Sequence, residues 1–168
     1  MDFDQAFERV IGHEQGYQCD PDDSGNWTGG RVDSGALLGT KYGISAAAYP
    51  GEDIRNITLD RARALYRRDY WVPAGCDQVP DALRFELFDA AVNAGVRAAI
   101  RMLQVAAGAD ADGVLGPQTL RRVAMMDPAA ALRRLQGARL DAYTRAKAWP
   151  TFGAGWVRRV ARNMLEVS

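Results

Sequence analysis

Between residues 18 and 40 the chain resists helix, and most of what surrounds it reads as helix. Asp20-Pro21-Asp22-Asp23-Ser24-Gly25-Asn26 is a run of turn formers, and Gly29, Gly30, Gly35 and Gly39 follow. So long an irregular stretch is uncommon inside a compact domain unless it serves function. It has room for a short β-hairpin, with Thr40-Lys41-Tyr42-Gly43-Ile44-Ser45 supplying the last strand. A short helix is expected after Ser45, ending before Pro50.

The segment before the loop is a helix expected over residues 2 to about 15. Phe3, Phe7, Val10 and Glu14 fall at i, i+4, i+7 and i+11, one face of a 3.6-residue period. Gly16 is the expected helix stop. A carboxyl at the core-facing end of a helix is partly desolvated, which favours its protonated form. That is what a general acid needs near neutral pH. The competing reading is a solvated glutamate on a frayed last turn.

After the loop, helical signals recur. Thr58 reads as an N-cap before Ala62, Leu65, Tyr66 and Asp69, and Pro73 and Gly75 break that helix. Asp81 is expected to cap a helix with Leu83, Leu87, Ala90 and Ala91 on one stripe, ending at Asn93-Ala94-Gly95. Ala99, Met102, Leu103 and Ala106 mark the next, with Gly108 beyond it. Asp110 to Gly116 form a turn, and Pro117 stands at a first helical position. Asp127-Pro128 opens a long helix that Trp149-Pro150 is expected to end, and Gly155-Trp156 opens a last basic one. The fold class is therefore mainly α with one small β excursion near Glu14.

The 168 residues suit one domain, with room for two small subdomains. At 48% hydrophobic and 25% charged, the composition is that of a soluble globular protein. No run approaches the roughly 18 to 20 apolar residues of a membrane span, and Met1-Asp2-Phe3-Asp4, acidic and followed by no apolar run, is not expected to open a secretory signal. Synthesis in the cytoplasm is expected, and action elsewhere would need release by something else. Cys19 and Cys76 are expected as free thiols. His13 is the only histidine, which argues against zinc and against a Ser-His-Asp triad. No metal or cofactor is expected. Residues 1–96 carry 9 basic and 16 acidic side chains, and residues 97–168 carry 12 and 5. The C-terminal half is thus +7 and suits an anionic partner, or else a set of solvated helix faces.

Glu14 and Asp23 are nine residues apart, and the loop between them can bring the two carboxyls across a cleft. Glycoside hydrolysis needs such a pair, one as acid and one as nucleophile or water activator. Thr40 is a candidate on the far wall to orient a water. Many acidic pairs share this spacing. The motifs sharpen it. Glu14-Gln15-Gly16-Tyr17, Asp20-Pro21-Asp22-Asp23-Ser24-Gly25 and Thr40-Lys41-Tyr42-Gly43-Ile44-Ser45 resemble glycoside hydrolase family 108, the bacterial and phage N-acetylmuramidases. Tyr66 to Trp71, Phe88 to Gly95 and Gly155 to Val160 match as well.

The resemblance implies a lysozyme-like helical fold with Glu14 as the catalytic glutamate, and the order of Glu14, Asp23 and Thr40 also looks like that of phage-type lysozymes, which suggests Asp23 and Thr40 for the other two roles. It departs at Gln15 and Asn26, and about a dozen residues, Trp27 to Gly39, look inserted. Asp20, Asp22 and Asp33 thus stay open as the second carboxylate. Tyr17, Trp27 and Tyr42, aromatic residues near the presumed cleft, and Asn93 are the candidate substrate contacts.

Leu103-Gln104, then Asp112-Gly113-Val114-Leu115-Gly116-Pro117-Gln118-Thr119-Leu120, resembles the core of helical peptidoglycan-binding modules. A helix–turn–helix needs the same residues for folding alone. The expected organisation is a lysozyme-like catalytic region over 1–95 and a peptidoglycan-binding-like region over 96–168, packed as one globule. The expected activity is that of a monomeric endolysin that cleaves peptidoglycan between N-acetylmuramic acid and N-acetylglucosamine. Nucleic acid and stable membrane insertion are not expected. A lytic transglycosylase and a non-catalytic wall-binding protein are the alternatives.

Overall fold

The computed structural model describes residues 1–12 and 16–166. The chain divides into two compact units, Phe7–Arg67 and a second that joins Met1–Ala6 to Arg68–Ser168. The division expected at 95/96 falls inside the second unit, between two helices that pack on each other. Helix α1 (Phe3–Ile11) starts on a reciprocal cap. Asp2 Oδ1 accepts from the Gln5 amide at 2.9 Å, and Gln5 Oε1 accepts from the Asp2 amide at 3.1 Å. It stops earlier than the apolar spacing implies. Gly12, at φ +55°, takes the left-handed conformation that ends a helix, so the stop is Gly12 and not Gly16. His13, Glu14 and Gln15 lie outside the described residues.

In the unit Phe7–Arg67 the buried side chains are Phe7, Ile11, Ile44, Ile54, Ile57, Leu65 and Tyr66, among others. Strands β1 (Thr40–Lys41) and β2 (Ile44–Ser45) pair antiparallel, with Thr40 opposite Ser45. The expected β excursion is this hairpin. The helix expected after Ser45 is a single turn, closed by the Tyr49 amide on the Ser45 carbonyl at 3.0 Å. Pro50 disfavours helix at the residue before it, and the space left is too short to propagate. Helix α2 (Leu59–Tyr66) begins on the Thr58 hydroxyl, which accepts from the Arg61 amide at 3.1 Å. Tyr66 meets Phe7 edge to face at 5.4 Å.

A wider π turn, Arg67–Trp71, follows α2. Beyond it come α3 (Asp81–Ala94), α4 (Val96–Ala107), α5 (Pro117–Ala124), α6 (Pro128–Thr144) and α7 (Trp149–Leu165). Helices α3, α4 and α6 pack on one another, α5 lies on α4, and α7 on α6. Phe3, Trp71 and Phe88 form an edge-to-face cluster with centroids 5.4 to 5.9 Å apart. Asp81 is the first residue of α3 and not its cap; its carboxylate pairs with Arg84 at 2.8 Å. Helix α6 stops at Thr144, short of Trp149, and α7 starts there instead of at Gly155. Pro150 fits because first-turn amides have no helical partner. Gly153 keeps α7 close beneath the Trp149 indole, where a Cβ would stand at 2.5 Å. Cys19 and Cys76 are both free. Burial pushes the Cys76 thiol up to about 12, so it is inert at neutral pH. Among the described residues no helix is long and apolar enough to cross a membrane.

Helix α3 is buried nearly all round, and two of its buried residues are Glu86 and Asp89. Arg139 of α6, with no exposed surface, meets Glu86 Oε1 at 2.5 Å and Asp89 Oδ2 at 2.6 Å. Arg159 of α7 meets Asp89 Oδ1 at 2.6 Å. Asn163 and Gln136 donate to the remaining carboxylate positions. The Tyr143 hydroxyl accepts from Arg139 Nε at 2.6 Å and donates to Asn93 Oδ1 at 2.7 Å. Burial works against the Asp89 charge, but Arg139 and Arg159 outweigh it and hold the carboxyl below its ordinary range. Its contribution to stability is therefore complete above the ordinary carboxylate value of 3.8 and is lost as pH falls through the lowered one. Asp89→Asn leaves a buried guanidinium short of a counter-charge and should cost about 3 to 5 kcal/mol in urea unfolding at pH 7. The variant should also lose part of the wild type's decline in stability with acid. A cost under about 1 kcal/mol, the size of an exposed pair, would mean that the network is not a folding constraint.

Candidate active site

The chain re-emerges into the described residues at Gly16 and runs beside the hairpin. Gln18 and Thr40 form an antiparallel bridge, with amide-to-carbonyl distances of 2.9 and 2.8 Å. Gly39, at φ +81°, permits this approach, since a Cβ there would stand 2.4 Å from the Gln18 carbonyl oxygen. The resulting cavity, of about 370 Å³, is lined by Gly16, Tyr17, Gln18, Thr40, Tyr42 and Gly43. Its aromatic walls have cationic neighbours: Lys41 Nζ lies 5.2 Å from the Tyr42 ring centre, and the Arg55 guanidinium 5.9 Å from that of Tyr17. The Tyr17 hydroxyl donates to the Leu38 carbonyl at 3.2 Å. A hydrogen bond with Cys19, then burial, raises its proton affinity, so it stays neutral.

Tyr42 sits at φ +52° and Gly43 at φ +74°, the left-handed pair that a two-residue hairpin turn requires. Glycine fits there and tyrosine does not: a bulky residue in that conformation is strained by about 1 to 2 kcal/mol. The Tyr66 hydroxyl donates to the Tyr42 carbonyl at 3.3 Å and occupies the space a Cβ on Gly43 would need. A strained backbone that carries a ring at the wall of a cavity points to use of that ring.

Thr40 and Asn26 set the back of the site. Asn26 is fully buried at the end of a short 3₁₀ turn, Ser24–Asn26. Its Nδ2 donates to the Asp20 carbonyl at 3.1 Å, and its Oδ1 accepts from the Thr40 hydroxyl at 2.9 Å. Asp23 is exposed, and its Oδ1 accepts from the Gly25 amide at 2.8 Å, starting that turn. Asp20 Oδ1 accepts from the Asp22 amide in the same way. Asp33 is exposed at φ +61°. Trp27 is half-buried, and its indole N–H donates to the Pro21 carbonyl at 2.8 Å. Of the sequence-derived site residues, Tyr17, Thr40 and Tyr42 thus share one cavity. Asp23 and Trp27 belong to the loop and do not line that cavity. Glu14 lies outside the described residues, two positions before Gly16 in the chain.

Two cavity-facing or supporting residues escaped the sequence reading. Gln18 carried no signal of its own. Asn26 was visible only as a departure from the family pattern, although an amide amid turn formers is a natural loop staple.

The C-terminal candidates sit in the other unit. Asn93 is half-buried, with its Oδ1 taken by Tyr143. Gln104 is buried and braces the Asp112–Val114 turn: its Nε2 reaches Asp112 Oδ1 at 2.7 Å and the Val114 carbonyl at 3.0 Å, and its Oε1 accepts from the Gly113 amide at 2.8 Å. The Gln104 and Asp112 side chains of the module-like motif thus have work inside the fold.

The sequence matches the family described as Glycosyl hydrolase 108 over residues 7–95. The fold is similar to that of SagA from Brucella abortus, with 32% identity and a TM-score of 0.77 over 95% of this chain and 90% of that one. No curated protein matches the chain.

The turn strain yields a test that separates stability from function. Tyr42→Asn, which tolerates the left-handed conformation, should raise stability by about 1 kcal/mol while weakening substrate affinity. A melting curve and KM on soluble wall fragments check both. An unchanged KM would remove Tyr42 from the substrate contacts.

Proposed function

The chain belongs to glycosyl hydrolase family 108, and from that premise we propose that it cleaves the β-1,4 bond between N-acetylmuramic acid and N-acetylglucosamine, with Glu14 as general acid. Family membership makes it a glycoside hydrolase of the N-acetylmuramidase kind, with peptidoglycan as substrate. A purely wall-binding role is thereby set aside. The observation that carries the finer reading is the cavity formed by residues 16–18, 40, 42 and 43, which begins two positions after Glu14 in the chain.

In this reading Glu14 protonates the glycosidic oxygen as the bond to the anomeric carbon breaks. Tyr17 and Tyr42 offer ring faces to the sugars, with Trp27 as a further contact; Asn93, whose Oδ1 accepts from Tyr143 in the other unit, is given no part in that cavity. Thr40 holds the attacking water through its hydroxyl oxygen. Asp23, fixed by its turn, stabilises the positive charge that develops on the sugar or orients that water. Asp20, Asp22 and Asp33 remain its competitors for that role. A lytic transglycosylase would need no such water and would leave 1,6-anhydro ends, which mass spectrometry of the released sugars detects.

The enzyme acts as a monomer after release from the cytoplasm, and its basic C-terminal half draws it to the anionic wall. Arg158 and Arg162 are exposed and suit that task. Arg159 does not, because Asp89 holds it.

Two experiments test the reading. Glu14→Gln should lower turbidity-clearing activity by roughly 10² to 10⁴ or more with little change in melting temperature. Activity above about a tenth of wild type, outside that general-acid range, would show that another group is the acid. Reversal of Arg158 and Arg162 to Glu should weaken sedimentation with sacculi, and wild-type binding should fall as salt shortens the screening length from about 10 Å at 0.1 M to about 3 Å at 1 M. Salt-independent sedimentation would end the recruitment idea.

A further inference from the structure

We infer that Asn26 is a positioning residue for Thr40 and fixes the direction in which its hydroxyl proton points. The inference rests on the reading of Thr40 as the holder of the attacking water. Asn26 Nδ2 faces the Asp20 carbonyl at 3.1 Å. A carbonyl can only accept, so the amide nitrogen must stand there, and Oδ1 must face Thr40. Oδ1 also can only accept, so at 2.9 Å the Thr40 hydroxyl donates to it. Flipping the amide would set two acceptors against each other at the Asp20 carbonyl. Turning the hydroxyl away would leave a fully buried Oδ1 without its donor.

A hydroxyl has one proton, and here it is committed. Toward the cavity, Thr40 therefore presents lone pairs only. A water that meets it must donate a hydrogen to it and keeps its own lone pair for attack on the anomeric carbon. If Thr40 donated to the water instead, it would engage one of the water's two lone pairs and draw electron density from the attacking oxygen. The same asparagine also sets where β1 begins. Its backbone carbonyl accepts from the amides of Leu38 at 2.9 Å and Gly39 at 3.1 Å, which closes the base of the loop just ahead of Thr40. Position and proton direction thus come from one side chain and its own backbone, neither of which touches substrate.

A double-mutant cycle on kcat separates this from a loop staple. Asn26→Ala and Thr40→Ala should each lower kcat on soluble peptidoglycan fragments by about 10- to 100-fold, the scale of a misplaced reacting group, with KM nearly unchanged. The double variant should be no slower than Thr40→Ala alone. If Asn26→Ala lowers kcat by the same factor with Thr40 present or absent, Asn26 is only structural and the inference fails. If Thr40→Ala keeps wild-type kcat, the water role itself fails, and the inference falls with it. Asn26→Asp covers a folding defect in the alanine variant. It keeps an acceptor for Thr40 but sets an oxygen against the Asp20 carbonyl. It should melt lower yet lose less than about tenfold in kcat per folded molecule, well short of the Thr40→Ala loss. A kcat as low as that of Thr40→Ala would overturn the inference.

Discussion

Two carboxylates of α3 lie out of water where two guanidinium groups reach them from α6 and α7. Each charge alone would carry a desolvation penalty of several kcal/mol. Together Glu86, Asp89, Arg139 and Arg159 are neutral, and the amides of Gln136 and Asn163 fill remaining hydrogen-bonding positions. Apolar packing alone leaves helices free to slide and rotate by a residue, since many registers bury similar area. A salt-bridged quartet does not tolerate that freedom. It sets the rotation of α6 and α7 about α3 at the same time, and through Tyr143 it fixes Asn93 near the end of α3.

The Phe7–Arg67 unit solves a different problem. The stretch that lines its cavity is mostly loop, and loops lack the repeating ladder that holds helices. Here individual residues stand in for the ladder. Asn26 binds the Asp20 carbonyl, the Thr40 hydroxyl and two amides. Asp20 and Asp23 cap their own turns, and the Tyr66 hydroxyl donates to the carbonyl of Tyr42 in its left-handed turn. The aspartates that make the stretch look catalytic also build its turns, which is why several of them compete for one role on paper.

Much of the helical frame was legible because helix ends are written in single residues. Thr58, Gly108, Pro117 and Asp127 stand where capping chemistry puts them. Periodicity misled at the end of α1, and a proline misled at the end of α6. Phe3, Phe7 and Val10 continue a stripe toward Glu14, but one glycine at position 12 outweighs it. Trp149-Pro150 looked like a terminator, yet proline is as much a starter. The hairpin and the sharing of one cavity by Tyr17, Thr40 and Tyr42 followed from motif order. The roles of Asn26 and Gln18 did not, since a hydrogen bond across 14 residues has no local signature. The charged core was half legible. Glu86 and Asp89 interrupt an otherwise apolar run, and Arg139 sits four residues after Leu135 on the apolar face of its helix. Counting Arg139 and Arg159 into a basic surface hid them.

The quartet also bears on how such a chain can change over generations. The family match ends at residue 95, so the first 95 residues look like a transferable cassette. Yet Glu86 and Asp89 lie before that limit, and Arg139 and Arg159 lie after it. A recombination event there would part the acids from their bases unless the incoming segment carried the same pair at the same spacing. Point substitutions meet a similar barrier, since any one alone leaves a stranded charge. The four positions should therefore drift as a linked haplotype, while the arginines on exposed faces vary independently.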